Sequence, residues 1–340
     1  MKFASLICIF HQKIVSLHKI CILGNMTNKE LYREFCLRTS DLPIFMQDWW
    51  MDAVCAGKQW DVLMIQGEQG EILAAMPYLL RKRAWMKYIV MPQQTQIGGI
   101  WLTEAAADVP DICQKISNEL AKMKLSYYRQ QYPIGSPAVA AMQKLGFKSE
   151  KRITYRIEDL ADIEKIVQSF SKNKKRQLQK AQSLHVSTDM NIEDFYRFHV
   201  QCLLNQGKQI SYTREFLLVL ERKAKRLNQC QILSVCNEEN QVVAAVFLVW
   251  DKRSMYYLIP CYDPQYKDSG ASALLAEQAI RLASEKGLAF DFEGSMIAGV
   301  ANHYKQFGST ATTYYSVEKY YKWWFWFANA YNRLRERRMR

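Results

Sequence analysis

The feature that most constrains the fold of this chain is an internal repeat. Residues 60–75 and residues 230–245 align without a gap, at a constant offset of 170 positions. Each copy is a β-rich run, a polar turn with Glu and Gly or Asn, and a second β-rich run that ends in Ala-Ala. This pattern is typical of a β-hairpin. A duplicated unit predicts two similar domains in tandem.

The rest of each half repeats in the same order, which predicts an α/β fold. Alternating strands and helices after an antiparallel start imply a mixed sheet covered by layers of helices. We predict an upstream extension at 1–25, an N-terminal domain at 26–160, a C-terminal domain at 161–319 and a C-terminal helix at 320–340. After each hairpin we predict a strand (86–91; 255–259), which Pro92 or Pro260 closes. A helix (111–124; 271–286), a short strand (125–128; 289–293), a closing helix and a final strand (153–157; 313–317) follow.

The first 25 residues are set apart from the repeat. Their short apolar run is interrupted by His11, Gln12 and Lys13, and it is too short to span a bilayer. Thr27 and Glu30 follow with the spacing of a capping box, which predicts the first helix there. We therefore interpret Met26 as the real start of the protein and residues 1–25 as an upstream extension, with a cleaved signal peptide as the alternative.

Charge and cysteine content narrow the classes of partner and cofactor. Lys and Arg number 46 against 33 Asp and Glu, a net charge of +13. This excess favours polyanionic partners such as nucleic acid, anionic lipid headgroups or phosphate-bearing cofactors, and a merely basic surface is the alternative. The nine cysteines show neither CxxC pairs nor zinc-ligand spacing. We therefore expect reduced, mostly buried thiols and no metal site.

Two segments resemble a known superfamily. Tyr304-Lys305-Gln306-Phe307-Gly308 is similar to the closing motif of GNAT acyltransferases, and residues 171–181 resemble the segment that opens the second domain in the FemA/FemB-like group. The resemblance implies two tandem GNAT-like domains and transfer of an acyl group to an amine. It also implies acyl-coenzyme A as co-substrate, with aminoacyl-tRNA as the alternative donor.

Residues 265–272 lie between a predicted strand and a predicted helix, where backbone N–H groups and the helix dipole can hold phosphate. The stretch resembles the pyrophosphate loop of GNAT enzymes, although Asp268 stands where the family has glycine. An ordinary helix cap is the alternative. The equivalent first-half stretch, 93–99, is a weaker candidate because no helix follows it at once. The cofactor-binding residues that the resemblance implies are Gln265, Ser269, Gly270, Ala271 and Ser272.

The candidate catalytic residues lie in the second half. The resemblance implies that Tyr304 is a general acid, whereas the matching position of the first half is Met142. Strand alternation puts Asp291 and Glu293 on one face at the carboxyl end of a strand. Glu293 is a candidate acceptor for the amine proton. Asp291 is a candidate to bind a substrate ammonium or a backbone N–H. The alternatives are a packing tyrosine and a solvated strand end.

A dense basic segment opens the helix near residue 172. Cations at a helix N-terminus oppose the helix dipole, so we expect a phosphate-bearing partner there, with a solvated basic face as the alternative. The spacing fits no helix-turn-helix or RNA-recognition signature, which argues against sequence-specific nucleic-acid binding. The residues of this segment are Lys172, Lys174, Lys175, Arg176 and Lys180.

The C-terminal tail combines aromatic and arginine side chains. Aromatic residues recur at helical spacing from Tyr320 to Tyr331, and five arginines crowd residues 333–340. Such a helix suits the headgroup boundary of an anionic membrane, and a helix docked on the second domain is the alternative. The stretch is too short to span a bilayer.

Together these observations predict a cytoplasmic, membrane-associated N-acyltransferase. Its acceptor would be an amine of a small molecule or of a lipid-linked cell-envelope precursor. A non-catalytic module that binds a phosphate ligand or lipid is the alternative function, and an RNA-associated protein is a third.

Overall fold

The computed structural model describes residues 26–55, 60–294 and 298–325. The α-helices in these ranges are α1 (Asn28–Arg38), α2 (Asp48–Val54), α3 (Val109–Lys122), α4 (Ala138–Lys144), α5 (Ile163–Ser169), α6 (Lys172–Lys180), α7 (Ile192–Asn205), α8 (Arg214–Arg226), α9 (Ala271–Glu285) and α10 (Ala298–Lys305). The strands are β1 (Trp60–Gln66), β2 (Ile72–Arg83), β3 (Met86–Val90), β4 (Trp101–Leu102), β5 (Tyr127–Tyr132), β6 (Lys148–Ile157), β7 (His185–Ser187), β8 (Cys230–Cys236), β9 (Val242–Trp250), β10 (Ser254–Tyr262), β11 (Ala289–Asp291) and β12 (Thr310–Tyr320).

The two predicted hairpins form and carry the same irregularity. β1 pairs with β2, and its register shifts between Ile65 and Gln66. β8 pairs with β9, and its register shifts between Val235 and Cys236. These positions are separated by the same offset as the sequence repeat, so the duplication extends to a β-bulge. Bulges of this kind are retained features of a fold rather than defects.

Helix α1 begins directly after Thr27, the residue predicted to cap it. The Thr27 side chain accepts a hydrogen bond from the backbone N–H of Glu30, and the Glu30 side chain accepts one from the backbone N–H of Thr27. This capping box satisfies two N–H groups that a helix start leaves free. Residues 1–25 lie outside the described residues, so their interpretation as an upstream extension stays a prediction.

One sheet runs through both halves of the chain. Its strand order is β1-β2-β3-β5-β12-β6-β11-β10-β9-β8-β7, with β4 paired to β2. The closing strands are exchanged, because β6 lies beside β11 of the second half and β12 lies between β5 and β6. The sheet is mixed, with parallel pairs β3–β5 and β10–β11. The domain boundary at 160/161 stays a prediction, since the sheet is continuous across it.

Three apolar clusters cover the sheet. One is shared by both halves and includes Trp50 of α2, Phe195 of α7 and Phe247 of β9. Each of the other two lies mainly in one half and also includes residues of an exchanged closing strand, such as Tyr155 of β6 or Val317 of β12. Ala276 of α9 lies in the second-half cluster and Ile116 of α3 lies in the first-half cluster. The predicted layered α/β class is therefore confirmed, and the shared cluster joins the two halves.

Strands β10 and β11 part at the centre of the second half. Their parallel pairing covers Ser254–Tyr256 and Ala289–Asp291 only. The prediction that Pro260 closes β10 is wrong, because the strand continues to Tyr262. Pro260 lies beyond the pairing with β11, on a stretch with one open side, where a residue without an N–H is tolerated. The prediction of a strand to residue 293 is also wrong, because β11 ends at Asp291.

None of the helices within the described ranges is long and apolar enough to cross a membrane. Residues 326–340 lie outside these ranges. The predicted start of the C-terminal helix at Tyr320 is wrong, because Tyr320 is the last residue of β12. The aromatic and basic face over the remaining residues stays a prediction.

Candidate active site

A tight turn after β11 positions Glu293. Glu293 has φ +60° and Gly294 has φ +51°, both in the left-handed region. A side chain at Gly294 could not fit, because its Cβ would lie 2.2 Å from the Ile153 carbonyl oxygen of β6. The turn is thus pressed against β6, and strand alternation no longer applies at Glu293. Glu293 therefore lies just past the end of β11, beyond the last residue that β11 pairs with β10.

The Glu293 side chain is half-buried, with one carboxyl oxygen shielded from solvent. Its Oε1 atom is shielded from solvent and has no hydrogen-bond partner among the described residues. Burial, and then the charge of Asp291, raise the pKa of Glu293 well above its ordinary value of 4.5. A carboxylate with a raised pKa is a stronger base, so this group is suited to accept a proton.

Asp291 is fully occupied by protein donors. One carboxyl oxygen accepts hydrogen bonds from the Thr154 hydroxyl at 2.5 Å and the Glu293 backbone N–H at 2.7 Å. The other accepts from the Arg156 guanidinium at 2.7 Å. Burial raises the pKa of Asp291, and Arg156 and these hydrogen bonds oppose the rise. Of the two predicted roles, Asp291 takes the backbone N–H rather than a substrate ammonium, and it positions Glu293.

Sequence reasoning missed Thr154 and Arg156, the partners of Asp291. Both lie on β6, where Arg152, Thr154 and Arg156 alternate with less polar residues and so share one face. Arg156 is almost fully buried and also donates to Ser254 at 3.0 Å. That alternation of polar side chains on a strand next to β11 was the available signal.

The first half contributes Gln96 to the same cluster. The Gln96 side-chain amide donates to the Thr154 hydroxyl at 3.1 Å, and its Oε1 is buried without a partner among the described residues. The backbone N–H of Gly98 donates to the Gln131 carbonyl at 2.6 Å, which holds the loop on β5. The stretch 93–99, considered above as a weak phosphate site, instead carries Gln96 to the junction of the halves.

Tyr304 lies close to Glu293. Its ring stacks on Phe292, with centroids 4.5 Å apart and planes at 22°. Burial, and then the Glu293 charge, raise the pKa of Tyr304 to about 12. At that pKa the phenol stays protonated at neutral pH, so it is a hydrogen-bond donor and a weaker acid than expected. The fold thus brings together the two side chains that the sequence singled out.

The loop at 265–272 is built differently from an open phosphate site. Gly270 is the N-cap of α9, with φ +87°. The Ser269 hydroxyl donates to the Tyr266 carbonyl and accepts from the Ala271 backbone N–H. A Cβ at Gly270 would lie 2.1 Å from the Gln177 carbonyl oxygen of α6. The loop is therefore covered by the backbone of another helix.

Helix α6 spans the distance between α9 and α10. Its cap, Ser171, donates its backbone N–H to the Gln306 carbonyl at 2.9 Å. The Asn173 side chain donates to the Gln306 side chain at 2.8 Å. Gln177, near the other end of α6, lies against Gly270. The helix is fixed at both ends.

The cations of α6 do not form a single exposed face. Lys172, Lys175, Arg176 and Lys180 are exposed, and phosphate binding stays a prediction for them. Lys174 is 1% exposed, and its ammonium lies 2.9 Å from His303 Nδ1 and donates to the Gln177 side chain at 2.8 Å. Burial lowers the pKa of Lys174 to about 8. Lys174 is therefore turned inward, away from an external phosphate.

A match to a protein family covers this region. Residues 148–306 match the family model described as "Acetyltransferase (GNAT) domain". The matched region is similar to a GNAT acetyltransferase domain. It begins at β6 and ends at α10, so it contains Asp291, Glu293 and Tyr304. No curated protein is significantly similar to the chain in sequence.

Solved structures confirm the predicted tandem GNAT, FemA/FemB-like fold. A crystal structure of FemX superposes with a TM-score of 0.63 at 13% identity, covering 86% of this chain and 96% of that one. A conserved protein of unknown function from Bacteroides thetaiotaomicron gives 0.55 at 12% identity, covering 86% and 97%. A tandem GNAT protein from the clavulanic acid biosynthesis pathway gives 0.50 at 7% identity, covering 76% and 82%.

GNAT domains generally use acyl-coenzyme A, so we asked whether the loop at 265–272 could hold its pyrophosphate. The family resemblance assigns the pyrophosphate to this loop, yet Gln177 of α6 covers Gly270 and Asp268 adds a carboxylate. The residues as folded do not fit a pyrophosphate there. The described residues also contain no group of three or more His, Cys, Asp or Glu that could hold a metal ion.

Proposed function

We propose that the chain is an N-acyltransferase that transfers an acyl or aminoacyl group to an amine of a small molecule or a cell-envelope precursor. The observation that carries the proposal is the shielded Glu293 carboxyl oxygen, at the separation of β10 and β11 and within the region that matches a GNAT domain. It has a raised pKa and an oxygen without a partner among the described residues. A half-buried base beside an open strand pair is suited to an incoming amine.

Glu293 takes the proton of the acceptor amine as its nitrogen attacks the donor carbonyl carbon. A C–N bond forms, the bond from carbon to the leaving oxygen or sulfur breaks, and the proton passes on to that leaving group. The Tyr304 hydroxyl donates a hydrogen bond at this centre, since its pKa of about 12 keeps it protonated. General base catalysis of this kind contributes about 10²- to 10⁴-fold in rate.

The neighbouring polar residues position the base. Asp291 accepts the backbone N–H of Glu293 and is itself fixed by Thr154 and Arg156. Gln96 links this cluster to the first half. The first half thus acts as a wall of the site, and the second half supplies the base.

The test is a search for product with two classes of donor. The full chain is incubated with a panel of primary amines and either acetyl-coenzyme A or aminoacyl-tRNA, and N-acylated amines are detected by mass spectrometry. The proposal expects one donor class to give product that is absent without protein. No product with either class would contradict it.

The alternative is a non-catalytic lipid-binding module. The exposed cations of α6 favour it, because four cations on one helix attract anionic headgroups. They are Lys172, Lys175, Arg176 and Lys180. Sedimentation with vesicles of phosphatidylglycerol, against vesicles of phosphatidylcholine, separates the two functions. Vesicle binding without acyl transfer in the amine panel supports the module, whereas acyl transfer supports the enzyme. A cytoplasmic enzyme that contacts the membrane would show both.

A further inference from the structure

Helix α6 occupies a place that the family resemblance gives to a ligand. The resemblance puts a pyrophosphate on the loop before α9, next to the helix that carries Tyr304. In this chain α6 lies across both helices. Its N-terminal end is tied to Gln306, directly after α10, and Gln177 presses a carbonyl oxygen against Gly270 at the start of α9. The groove between α9 and α10 therefore contains protein.

The contacts that hold α6 are those of a packed element rather than of a loose lid. Leu178 packs against the second-half core. The Lys174 ammonium lies 4.9 Å from the centre of the Phe307 ring and hydrogen-bonds Gln177 and His303. Asn173 and Ser171 both donate from their side chains to the Gln306 side chain. Apolar, cation–π and hydrogen-bond contacts therefore fix successive turns of one short helix.

The chemistry of the covered loop also disfavours a phosphate. A carbonyl oxygen from Gln177 faces the start of α9, where a phosphate would need N–H donors. The Ser269 hydroxyl is engaged with Tyr266 and Ala271. Asp268 places an exposed carboxylate beside them, which repels a diphosphate. The position of the Gln177 carbonyl and the charge of Asp268 therefore both disfavour a diphosphate on this loop.

We propose that α6 is a permanent plug in the cofactor groove of this GNAT domain, so that the chain binds no coenzyme A at residues 265–272. The acyl donor then reaches Glu293 without a diphosphate on this loop. The inference concerns the donor site and is independent of the role of Glu293. Gly270 is required by the plug, because only a residue without a Cβ lets the Gln177 carbonyl approach.

Coenzyme A itself is the probe for the wild-type chain. Hydrogen exchange of the full chain is followed by mass spectrometry with and without acetyl-coenzyme A at about 1 mM, a concentration that detects even weak complexes. The plug predicts unchanged exchange in residues 265–272 and 172–180. Slowed exchange in 265–272, together with saturable heat in calorimetry, would overturn it.

A glycine pair tests what covers the loop. Gly270→Ala should speed exchange in residues 172–180 by at least about tenfold, because the added Cβ pushes α6 away. Gly287→Ala is the matched control, since Gly287 follows α9 at its other end, has φ +67° and has open space around its Cβ. If both variants leave α6 equally protected, the plug is refuted. Acyl transfer by Glu293 would still stand in that case, because its test uses a different residue and a different readout.

Discussion

The half-buried Glu293 carboxyl lies in a place that favours its protonated form, and this links its chemistry to stability. Its pKa in the folded chain lies above the value of 4.5 expected when unfolded. The folded state therefore binds more protons at pH values between the two, and stability falls as the pH rises from 4.5 toward the folded pKa. The residue that serves the proposed reaction thus weakens the fold at neutral pH.

Replacing this carboxyl should strengthen the fold. Glu293→Gln is expected to raise the free energy of unfolding at pH 7 by about 1 kcal/mol, because it removes the ionisation of a half-buried group. The gain should shrink as the pH falls and vanish near pH 4.5. Urea unfolding between pH 4 and pH 8 measures it.

Glu158 provides a control of opposite sign. Arg156 lowers the pKa of Glu158, whose side chain is largely exposed. Its contribution to stability is present above the unfolded pKa and is lost as the pH falls. Glu158→Gln should therefore destabilise slightly at neutral pH and have no effect at low pH. Identical pH dependence in the two variants would show that Glu293 is not in a distinct environment.

At the scale of elements, the turn after β11 sets the position of the site. Gly294→Ala should lower the free energy of unfolding by about 1–3 kcal/mol, since it adds a Cβ against the Ile153 carbonyl at a positive φ. The same change should displace Glu293. Gly299→Ala in α10 is the control, because its Cβ meets open space, and it should be neutral or slightly stabilising. Thermal unfolding compares them, and equal shifts would contradict the role of the turn.

Local sequence patterns predicted most elements because their signals are local. The capping box at Thr27 located α1, and the repeat located both hairpins. Two features escaped. β10 passes through Pro260 because a neighbouring strand has moved away, and Glu293 leaves the strand because of its own backbone angle. Both features depend on the segment that packs beside the strand. The sequence of the strand itself does not identify that segment.

At the scale of the whole molecule, the exchange of β6 and β12 joins the halves. β12 pairs with β5 over Tyr315–Tyr320 and with β6 over Thr310–Glu318. Each half alone would lack a strand that its sheet needs. The sequence predicted two GNAT-like domains in tandem but did not predict the strand exchange. The residue pattern of a closing strand shows that it is a strand, and it does not show which strand it pairs with.

The exchange predicts a single cooperative unit. The full chain should unfold in one calorimetric transition, and fragments 26–160 and 161–340 should not unfold cooperatively when expressed separately. Two separate transitions, or a stable isolated half, would show that the shared core and exchanged strands do not couple the halves.

The same scale explains why the site was only partly predicted. Glu293 and Tyr304 both belong to the second half, and they stood out when the sequences of the two halves were compared. Gln96 comes from the other half and Thr154 from the exchanged strand β6, so they join the cluster only after the chain has folded.

The pH dependence of acyl transfer tests the central claim most directly. With a donor and amine that give product, the rate should rise with pH through a pKa well above 4.5 as Glu293 loses its proton. In Glu293→Gln that rise should disappear and the rate should fall by about 100-fold or more. A variant with the wild-type rate and the same pH profile would contradict the assignment of Glu293 as the base.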